Sequence, residues 1–395
     1  MNIPFLTQDL KAEFDLRLSK VRSQMQSGHL DAILIASPVN IFYMSGCIFR
    51  GYVYIPADRE PVFMMIPPSQ APDHKQCIAI RKPEVIADKL GEIGYPIPSC
   101  IGLEYADMLY SDIERLKKCF PDTEFADASM AMRKSRMEKT DYEIVKMRQD
   151  GLHQAAVYAQ VHKCYKEGMT DLEFQIEIER VLRREGCLGI LRAAGNRMEL
   201  NMGSVIAGDN ADNPSPYDFS MGGEGTDPSL PVGANGAILK PGTAVMVDMN
   251  GGFNGYQTDM TRCWTIESVP DLASKAHECS RKILRRLEEI GKPGMPVSTL
   301  YKEAIEIVKA DNLHEYFMGH AHKAGFIGHG VGIELNEIPV VMERSKDILA
   351  ENMTIAIEPK FVIPHVGAVG VENTYRVTSA GLENLTVFPE DLTEL

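Results

Sequence analysis

The first 130 residues alternate short apolar segments with longer stretches in which apolar residues recur at helical spacing. The segments 31–37 (DAILIAS) and 60–67 (EPVFMMIP) are short, apolar and bounded by turn residues, which is typical of buried strands. Residues 14–28 show an amphipathic pattern that stops at Gly28, and we expect a helix there. Strands that alternate with helices predict an α/β N-terminal domain.

A polar segment at 133–142 (RKSRMEKTDY) interrupts this alternation, and we interpret it as a linker or the start of a helix. We place the domain boundary in this segment, which assigns residues 1–135 to the first domain and residues 136–395 to the second. Long helical patterns follow at about 141–167 and 171–186.

The second helical pattern begins with Thr170 and Glu173, a capping-box spacing in which each side chain satisfies a free backbone N–H of the first turn. Beyond it the chain changes to apolar strands and turns rich in Gly and Pro. A further pair of helices is expected at about 271–290 and 297–311. Helices that are segregated from an antiparallel sheet predict an α+β second domain.

The composition excludes several classes of partner. The 395 residues include 41 Lys and Arg against 55 Asp and Glu, which gives a formal net charge of −14. Nucleic acids and anionic membranes attract basic surfaces, so neither partner is expected. No apolar run approaches a membrane span or a signal peptide, and we expect a cytoplasmic protein. The eight cysteines form no CxxC pair and are expected to be reduced thiols.

Four acidic residues are attached to apolar strands, where an ionised carboxylate costs several kcal/mol unless a positive charge meets it. Asp248 ends one such strand, and Asp259 lies on the expected return strand after an Asn-Gly turn, so a hairpin brings the two together. Glu358 and Glu372 end apolar segments nearer the C-terminus. The four acids need a shared counter-charge.

His329 lies between the two pairs of acids in the segment GHGVG, whose glycines allow close approach of the backbone to a ligand. Carboxylates with one imidazole suit a harder divalent cation such as Mn²⁺, Co²⁺, Fe²⁺ or Zn²⁺. Four acids are more than one catalytic metal needs, so we expect two bridged ions. A nucleotide-binding loop is a weak alternative, because that fingerprint needs GxGxxG between a strand and a helix.

These motifs resemble those of the aminopeptidase P, prolidase and creatinase family, and the resemblance covers nearly the whole chain. Residues 247–262 (VDMNGGFNGYQTDMTR) are similar to the central motif of the family, with its spacing of eleven between two acids. Residues 328–332 resemble the single-histidine motif and residues 337–339 the Glu-x-Pro that follows it. Glu358, with Glu372 fourteen positions later, completes the five-ligand set of that family.

The resemblance implies a pita-bread catalytic domain that hydrolyses the bond before proline in dipeptides or short peptides. It implies that Asp248 chelates one ion, that His329 and Glu358 bind the other, and that Asp259 and Glu372 bridge the two. A water or hydroxide between the ions is then the nucleophile. Glu358 is the candidate proton shuttle, so His329 and Glu358 are the expected catalytic residues. A homodimer is also implied.

The chain departs from the family pattern where the peptidases carry three further histidines that contact substrate. Ser215 or a neighbour, Gly325 and Asn336 occupy those positions here. An Arg that meets the substrate carboxylate in the dipeptidases is replaced by Gly370. We expect substrate contacts from four residues of the chain: Ser215, His320, His322 and Asn336.

The altered substrate contacts leave two alternatives open. One is a metal-dependent hydrolase or lyase that acts on a non-peptide small molecule, as creatinase-like and ectoine-hydrolase-like enzymes do. The five retained ligands separate this chain from creatinase itself, which has abandoned the metals. The other alternative is a non-catalytic pita-bread binding module, although such modules typically lose ligands.

Overall fold

The computed structural model describes residues 3–195, 201–217 and 219–395, except for the side chain of Leu6. The chain divides into two compact units, Met1–Arg136 and Met137–Leu395. The boundary predicted from the sequence lies between residues 135 and 136. No helix among the described residues combines the length and the apolar character needed to span a bilayer.

The first unit contains a six-stranded mixed sheet in the order β4-β3-β2-β1-β5-β6. Strand β2 is antiparallel to both of its neighbours, whereas the β3–β4, β1–β5 and β5–β6 pairs are parallel. The strands are β1 (Ala32–Ile35), β2 (Gly51–Pro56), β3 (Val62–Met65), β4 (Cys77–Ala79), β5 (Cys100–Leu103) and β6 (Glu124–Asp127). The helices are α1 (Lys11–Ser27), α2 (Pro38–Ser45), α3 (Ile86–Glu92), α4 (Tyr110–Lys117) and α5 (Ser129–Met137).

Helix α1 shows why this part of the sequence folds as predicted. Its buried apolar residues Phe14, Leu18, Val21 and Met25 recur at spacings of three and four and lie on one face of the helix. The helix ends at Gly28, as the pattern indicates. The predicted strands at 31–37 and 60–67 contain β1 and β3, and the α/β class of the first domain is confirmed.

The polar segment 133–142 is mostly helical, so its interpretation as a linker is wrong for most of its length. Residues 133–137 form the last part of α5. Met132 and Arg136, four residues apart on one face of that helix, are buried, and this packing accompanies the helix despite the polar residues around them. A new helix begins at Asp141, in agreement with the interpretation of this segment as a helix start.

The second unit is built from antiparallel sheets in the orders β11-β10-β12-β15-β16 and β17-β9-β8-β7, with β13 and β14 as a separate pair. Only β17 runs parallel to its neighbour among these described strands. The strands are β7 (Gly203–Ala207), β8 (Thr243–Gly251), β9 (Thr258–Ile266), β10 (Phe326–Gly330), β11 (Glu337–Met342), β12 (Thr354–Ile357), β13 (Lys360–Ile363), β14 (Gly367–Gly370), β15 (Asn373–Thr378), β16 (Gly381–Asn384) and β17 (Thr393–Glu394).

Two groups of helices cover these sheets. The helices are α6 (Asp141–Tyr158), α7 (Val161–Cys164), α8 (Asp171–Glu185), α9 (Asp271–Ile290) and α10 (Val297–Ala310). Apolar residues of α9 and α10 share one core with β12 to β15, and those of α6 and α8 share another with β7 to β9. The α+β class of the second domain is confirmed.

The helix predicted at 141–167 is shorter than expected. It ends at Tyr158, and the single turn of α7 follows after Ala159 and Gln160. The Tyr158 side chain packs in the core beside Trp264 and Phe388. Capping boxes begin both α6 and α8, and the box predicted for α8 at Thr170 is present.

Asp150 on α6 is a buried acid outside the candidate site. Its Oδ2 accepts a hydrogen bond from the Phe253 backbone N–H at 3.3 Å, and its Oδ1 has no partner in the described part of the chain. Burial raises the pKa of Asp150 from 3.8 to about 7. Between these two pKa values the folded state holds a proton that the unfolded state has released. The free energy of unfolding therefore contains a contribution that is fully present at low pH and is lost as the pH rises towards 7.

We expect Asp150→Asn to raise the free energy of unfolding at pH 8 by roughly 2 kcal/mol, because the neutral amide removes the burial of a charge. The difference should shrink as the pH falls towards 4.5. Urea denaturation across this pH range measures it, with the exposed Asp391→Asn as the control. A difference that does not change with pH would contradict the prediction.

Candidate metal centre

The β8–β9 hairpin brings the first two predicted ligands to one face of a sheet. Asp248 pairs in register with Thr261, and Asp259 pairs with Asn250 two positions along. Because side chains alternate between faces with a period of two, Asp248 and Asp259 are diagonal neighbours on the same face. The hairpin forms as predicted.

The five-stranded sheet supplies the remaining ligands. His329 lies on β10 opposite Ala356 of β12, Glu358 directly follows β12, and Glu372 lies between β14 and β15. The His329 Nε2 atom is 3.7 Å from Asp259 Oδ2 and 3.8 Å from Glu358 Oε1. The structure therefore gathers all five predicted ligands from segments that are far apart in sequence.

His329 is oriented by its own strand. Its Nδ1 atom is 3.1 Å from the carbonyl oxygen of Gly330, where Nδ1–H can donate. That donation places the lone pair on Nε2, which faces the carboxylates, and a backbone carbonyl in this role is usual for metal-binding histidines.

Three of the ligands fit a single metal ion. One ligand atom each of Asp259, His329 and Glu372 lies within 4.8 Å of the other two. Ligands at about 2.0–2.2 Å from a shared ion lie at most about 4.4 Å apart, so small side-chain movements suffice. Glu372 Oε1 is buried and has no hydrogen-bond partner within the described residues, as expected for an atom that accepts a metal.

Lys360 lies among the other carboxylates and was missed in the sequence. Its Nζ atom is 2.8 Å from Asp248 Oδ2, 2.8 Å from Glu358 Oε2 and 2.9 Å from Glu372 Oε2, and the side chain is 0% exposed. The Ser220 hydroxyl also donates to Glu358 Oε2. The pattern that indicated the acids, a charged residue next to an apolar strand, is also present here. A lysine at the start of the strand Lys-Phe-Val-Ile is equally costly to bury.

Two threonines hold the buried acids in place. The Thr261 hydroxyl donates to Glu372 Oε2 at 2.7 Å. The Thr374 hydroxyl accepts from the backbone N–H of Asp259 at 2.8 Å and donates to its carbonyl at 2.9 Å. Thr261 on β9 therefore holds the Glu372 carboxylate, and Thr374 on β15 holds the backbone of Asp259. Neither threonine bonds to the Asp259 carboxylate oxygen that faces His329.

Negative charge dominates the centre. Burial and neighbouring carboxylates raise the pKa of Asp259 and of Glu372 well above their ordinary values. Burial also acts to raise the pKa of Glu358, but Lys360 and His329 outweigh it and the pKa is lowered. Burial opposes the charge of Lys360, yet the surrounding acids hold its pKa well above the usual range. The centre has a deficit of positive charge that a divalent cation would relieve.

A cavity opens onto the centre. Asp248, Asp259, His329 and Glu358 form part of its surface, and Asn336 lies on its wall. The rest of the lining combines apolar and polar side chains. The apolar ones include Leu191, Phe219, Met221, Phe326, Leu335 and Val340, and the polar ones include Ser204, Ser220, Asn250 and Glu337. A cavity that joins apolar surface to a cluster of polar groups is typical of a small-molecule site.

The four predicted substrate contacts do not lie together. Asn336 lines the cavity at the metal centre, whereas Ser215 and His322 line a neighbouring cavity. The His320 ring contacts Asp212 at 3.1 Å and stacks on Tyr316. Their roles in substrate binding stay predictions.

Asn336 also connects two segments of the cavity wall. Its Oδ1 accepts from the Ala194 backbone N–H at 2.6 Å, and its Nδ2 is 3.5 Å from the Ala194 carbonyl. The neighbouring Leu335 N–H donates to the Arg192 carbonyl at 2.7 Å. The wall formed by residues 191–195 is thus tied to the segment that precedes β11.

Residues 145–379 match the family model described as metallopeptidase family M24. The chain belongs to metallopeptidase family M24. Residues 17–138 match the creatinase/prolidase N-terminal domain. The resemblance stated from the sequence is confirmed, and M24 membership implies a divalent metal cofactor, in agreement with the carboxylate and histidine cluster.

Relatives of this M24 protein extend over the whole chain. It is 28% identical over 384 residues to an Xaa-Pro dipeptidase of Pyrococcus furiosus, which covers 95% of this chain and 99% of that protein. An Xaa-Pro dipeptidase of Pyrococcus horikoshii is 26% identical over 380 residues, with 95% and 98% covered.

Solved structures of other proteins share the fold. The Xaa-Pro dipeptidase from Bacillus anthracis superposes with a TM-score of 0.80 at 22% identity and covers 96% of this chain and 99% of its own. The prolidase from Pyrococcus horikoshii gives a TM-score of 0.76 at 22% identity, with 95% and 99% covered. The M24 chain therefore has the two-domain fold of these structures over nearly its full length.

Proposed function

We propose that this M24 protein is a metal-dependent Xaa-Pro dipeptidase, which hydrolyses the peptide bond before proline. The observation that carries the proposal is the cluster of Asp259, His329 and Glu372 at a partly apolar cavity in the M24 region. The Xaa-Pro dipeptidases of two Pyrococcus species, which align over 95% of the chain, support this choice of substrate class.

A divalent ion held by Asp259, His329 and Glu372 supplies Lewis acidity for attack on a carbonyl. Glu358 Oε2 is held by Lys360, while Oε1 faces His329 across 3.8 Å. Oε1 is therefore the atom that can accept a proton at the centre and return it to the leaving amine. This geometry supports the role of Glu358 as proton shuttle.

The cavity offers separate surfaces for the two parts of a dipeptide. Its apolar walls suit the proline ring and the preceding side chain, since burial of apolar area is favourable. Asn250 also lines the cavity, and its Oδ1 is buried with no hydrogen-bond partner in the described residues. An N–H group of the substrate could bond to that oxygen after a side-chain movement that exposes it to the cavity.

The ion belongs to the group Mn²⁺, Co²⁺, Fe²⁺ and Zn²⁺, because carboxylates and imidazole suit all four. Manganese, the homodimer and the cytoplasmic location remain expectations from the sequence. The number of ions, expected to be two from the sequence, also stays a prediction, and Lys360 lies among the acids that were expected to hold them.

Proline release from a panel of Xaa-Pro dipeptides tests the proposal. We expect the Mn²⁺- or Co²⁺-loaded protein to turn over on the order of 1–10³ times per second, as ordinary enzymes do. A chelator should abolish the activity, and matched Xaa-Ala dipeptides should be poor substrates. Bound metal without release of proline from any dipeptide would overturn the peptidase proposal.

One observation favours a second candidate, a hydrolase of non-peptide amides. His329 is the only histidine among the described residues that line the cavity. Asn336 lines its wall at a position where the peptidases of the family carry a further histidine. An amide can donate a hydrogen bond to a developing oxyanion but cannot exchange a proton near neutral pH as histidine does. A panel of small cyclic and acyclic amides, assayed beside the dipeptides, separates the two candidates.

We expect Asn336→Ala to raise KM about fivefold with little change in kcat. Loss of the tie to Ala194 removes about 1 kcal/mol of hydrogen bonding that keeps the cavity wall in place for the bound substrate. Steady-state kinetics on the best dipeptide measures the effect, with His365→Ala as the comparison variant, since His365 is exposed and does not line this cavity. A fall in kcat at constant KM would instead place Asn336 at the reacting atoms.

A further inference from the structure

We propose that the Lys360 ammonium takes the place of one of the two expected divalent ions, so that the centre binds a single ion through Asp259, His329 and Glu372. The inference rests on the proposed function only in that the centre binds metal. It does not depend on which bond the enzyme hydrolyses.

The first argument is the geometry around the lysine nitrogen. A lysine ammonium has three N–H donors, and three carboxylates lie at 2.8, 2.8 and 2.9 Å from Nζ, those of Asp248, Glu358 and Glu372. Each donor therefore has a carboxylate acceptor from a different segment of the chain. These are three of the four acids that were expected to hold the two ions, and here they surround an ammonium group.

An ion and the ammonium group cannot share these oxygens. A divalent cation bound to the same three oxygens at about 2.0–2.2 Å would lie closer to Nζ than the van der Waals separation of the two allows. The two positive charges would also repel each other in a site where Lys360 is 0% exposed and little water is present to screen them. Occupation by lysine and occupation by metal are alternatives.

The fold builds Lys360 into this position. Lys360 pairs in register with Gly370 across the β13–β14 hairpin, and its carbonyl accepts from the Met318 N–H at 2.8 Å. Gly370 has a φ of +148°, and a Cβ at that position would lie 2.9 Å from Lys360 Cα and 3.4 Å from its Cγ. A side chain at position 370 would therefore force a shift of the backbone that carries Lys360, which glycine avoids.

The two glutamates connect the lysine side of the centre to the metal side. Glu358 and Glu372 each give Oε2 to Lys360. Glu358 Oε1 faces His329, and Glu372 Oε1 is buried without a hydrogen-bond partner in the described residues, beside Asp259 and His329. Glu372 would thus connect the ammonium group to the metal position, while Glu358 connects the ammonium group to His329.

Lys360 acts as a positioning residue in this arrangement. Its three N–H groups are directed at three carboxylates, so it orients Asp248, Glu358 and Glu372 and does not contact the substrate. Lys360 is also not part of the cavity lining. Its effect on the reaction comes through the number of ions and the orientation of Glu358.

Metal stoichiometry tests the inference without any activity measurement. The full-length protein is saturated with Mn²⁺, freed of unbound ion and assayed by elemental analysis and electron paramagnetic resonance. We expect one ion per chain and the six-line spectrum of isolated Mn²⁺. Lys360→Met, which keeps the stem and removes the charge, should bind a second ion and give the spectrum of a coupled pair. The matched control Lys302→Met, at an exposed position, should retain one ion.

Each outcome decides a separate point. Two ions per wild-type chain, or a coupled Mn²⁺ pair in it, would overturn this inference and leave the proposed function intact. No bound ion would overturn both. A folded Lys360→Met protein that still binds one ion would show that the lysine is not what excludes the second. Should this variant fail to fold, the wild-type stoichiometry and spectrum alone decide the matter.

Discussion

Replacing Asp259 by Asn is expected to lower both metal occupancy and kcat/KM by more than roughly 100-fold. Loss of partners one step removed from a metal costs about 10–100-fold, and Asp259 is placed to contact the ion directly. An amide oxygen can still approach the metal, but the charge that offsets the cation is gone. The loss should appear with every dipeptide substrate alike.

Elemental analysis and kinetics on the same sample test this expectation, with the exposed Asp209→Asn as the control. Thermal melting in the presence of a chelator separates ligand loss from misfolding. Burial and neighbouring acids disfavour the charged form of Asp259 in the metal-free protein, so Asp259→Asn should melt at a higher temperature than wild type there. Unchanged metal occupancy would contradict the ligand assignment.

Replacing Lys139 by Met is expected to lower the free energy of unfolding by about 3–5 kcal/mol. Lys139 Nζ lies 2.9 Å from Glu337 Oε2, and the two side chains are 1% and 3% exposed. Glu337 Oε1 accepts from the backbone N–H groups of Ile333 and Glu334 at 3.2 and 3.3 Å. Loss of the lysine removes this ion pair from a buried carboxylate at the turn that leads into β11.

Guanidinium denaturation measures the loss, and the double variant Lys139→Met, Glu337→Leu provides the decisive comparison. Replacement of both charges by apolar groups removes the buried carboxylate together with its lysine, so the double variant should recover most of the stability. The exposed Lys302→Met should change stability by less than about 0.5 kcal/mol. A single variant as stable as wild type would show that Glu337 finds another neutralising partner.

The sequence indicated the acids of the centre because their positions carry a physical cost. Asp248, Asp259, Glu358 and Glu372 stand on apolar strands, where charge is expensive unless it is matched. The start of helix α8 was equally predictable, since the capping box at Thr170 marks it. Local patterns of this kind survive in the folded protein because tertiary packing agrees with them.

Features that depend on contacts between distant segments were not predictable. The contacts of Tyr158 with Trp264 on β9 and with Phe388 join segments more than 100 residues apart, and the helical pattern does not contain them. Ser215, His320 and His322 lie in irregular segments, so spacing gave no measure of their distance from the metal centre. Lys360 was overlooked because only acids were considered as members of the charged set.

The space opposite Lys360 has a consequence for how such a centre can change over time. With any side chain at position 370, a Cβ would lie 2.8 Å from the Pro359 carbonyl oxygen as well as close to the lysine stem. The requirement comes from the backbone, so glycine at position 370 suits lysine at position 360 and any other residue there alike. Under the proposed arrangement, a single substitution at position 360 therefore interconverts an ammonium centre and a two-metal centre, because the opposite strand needs no change.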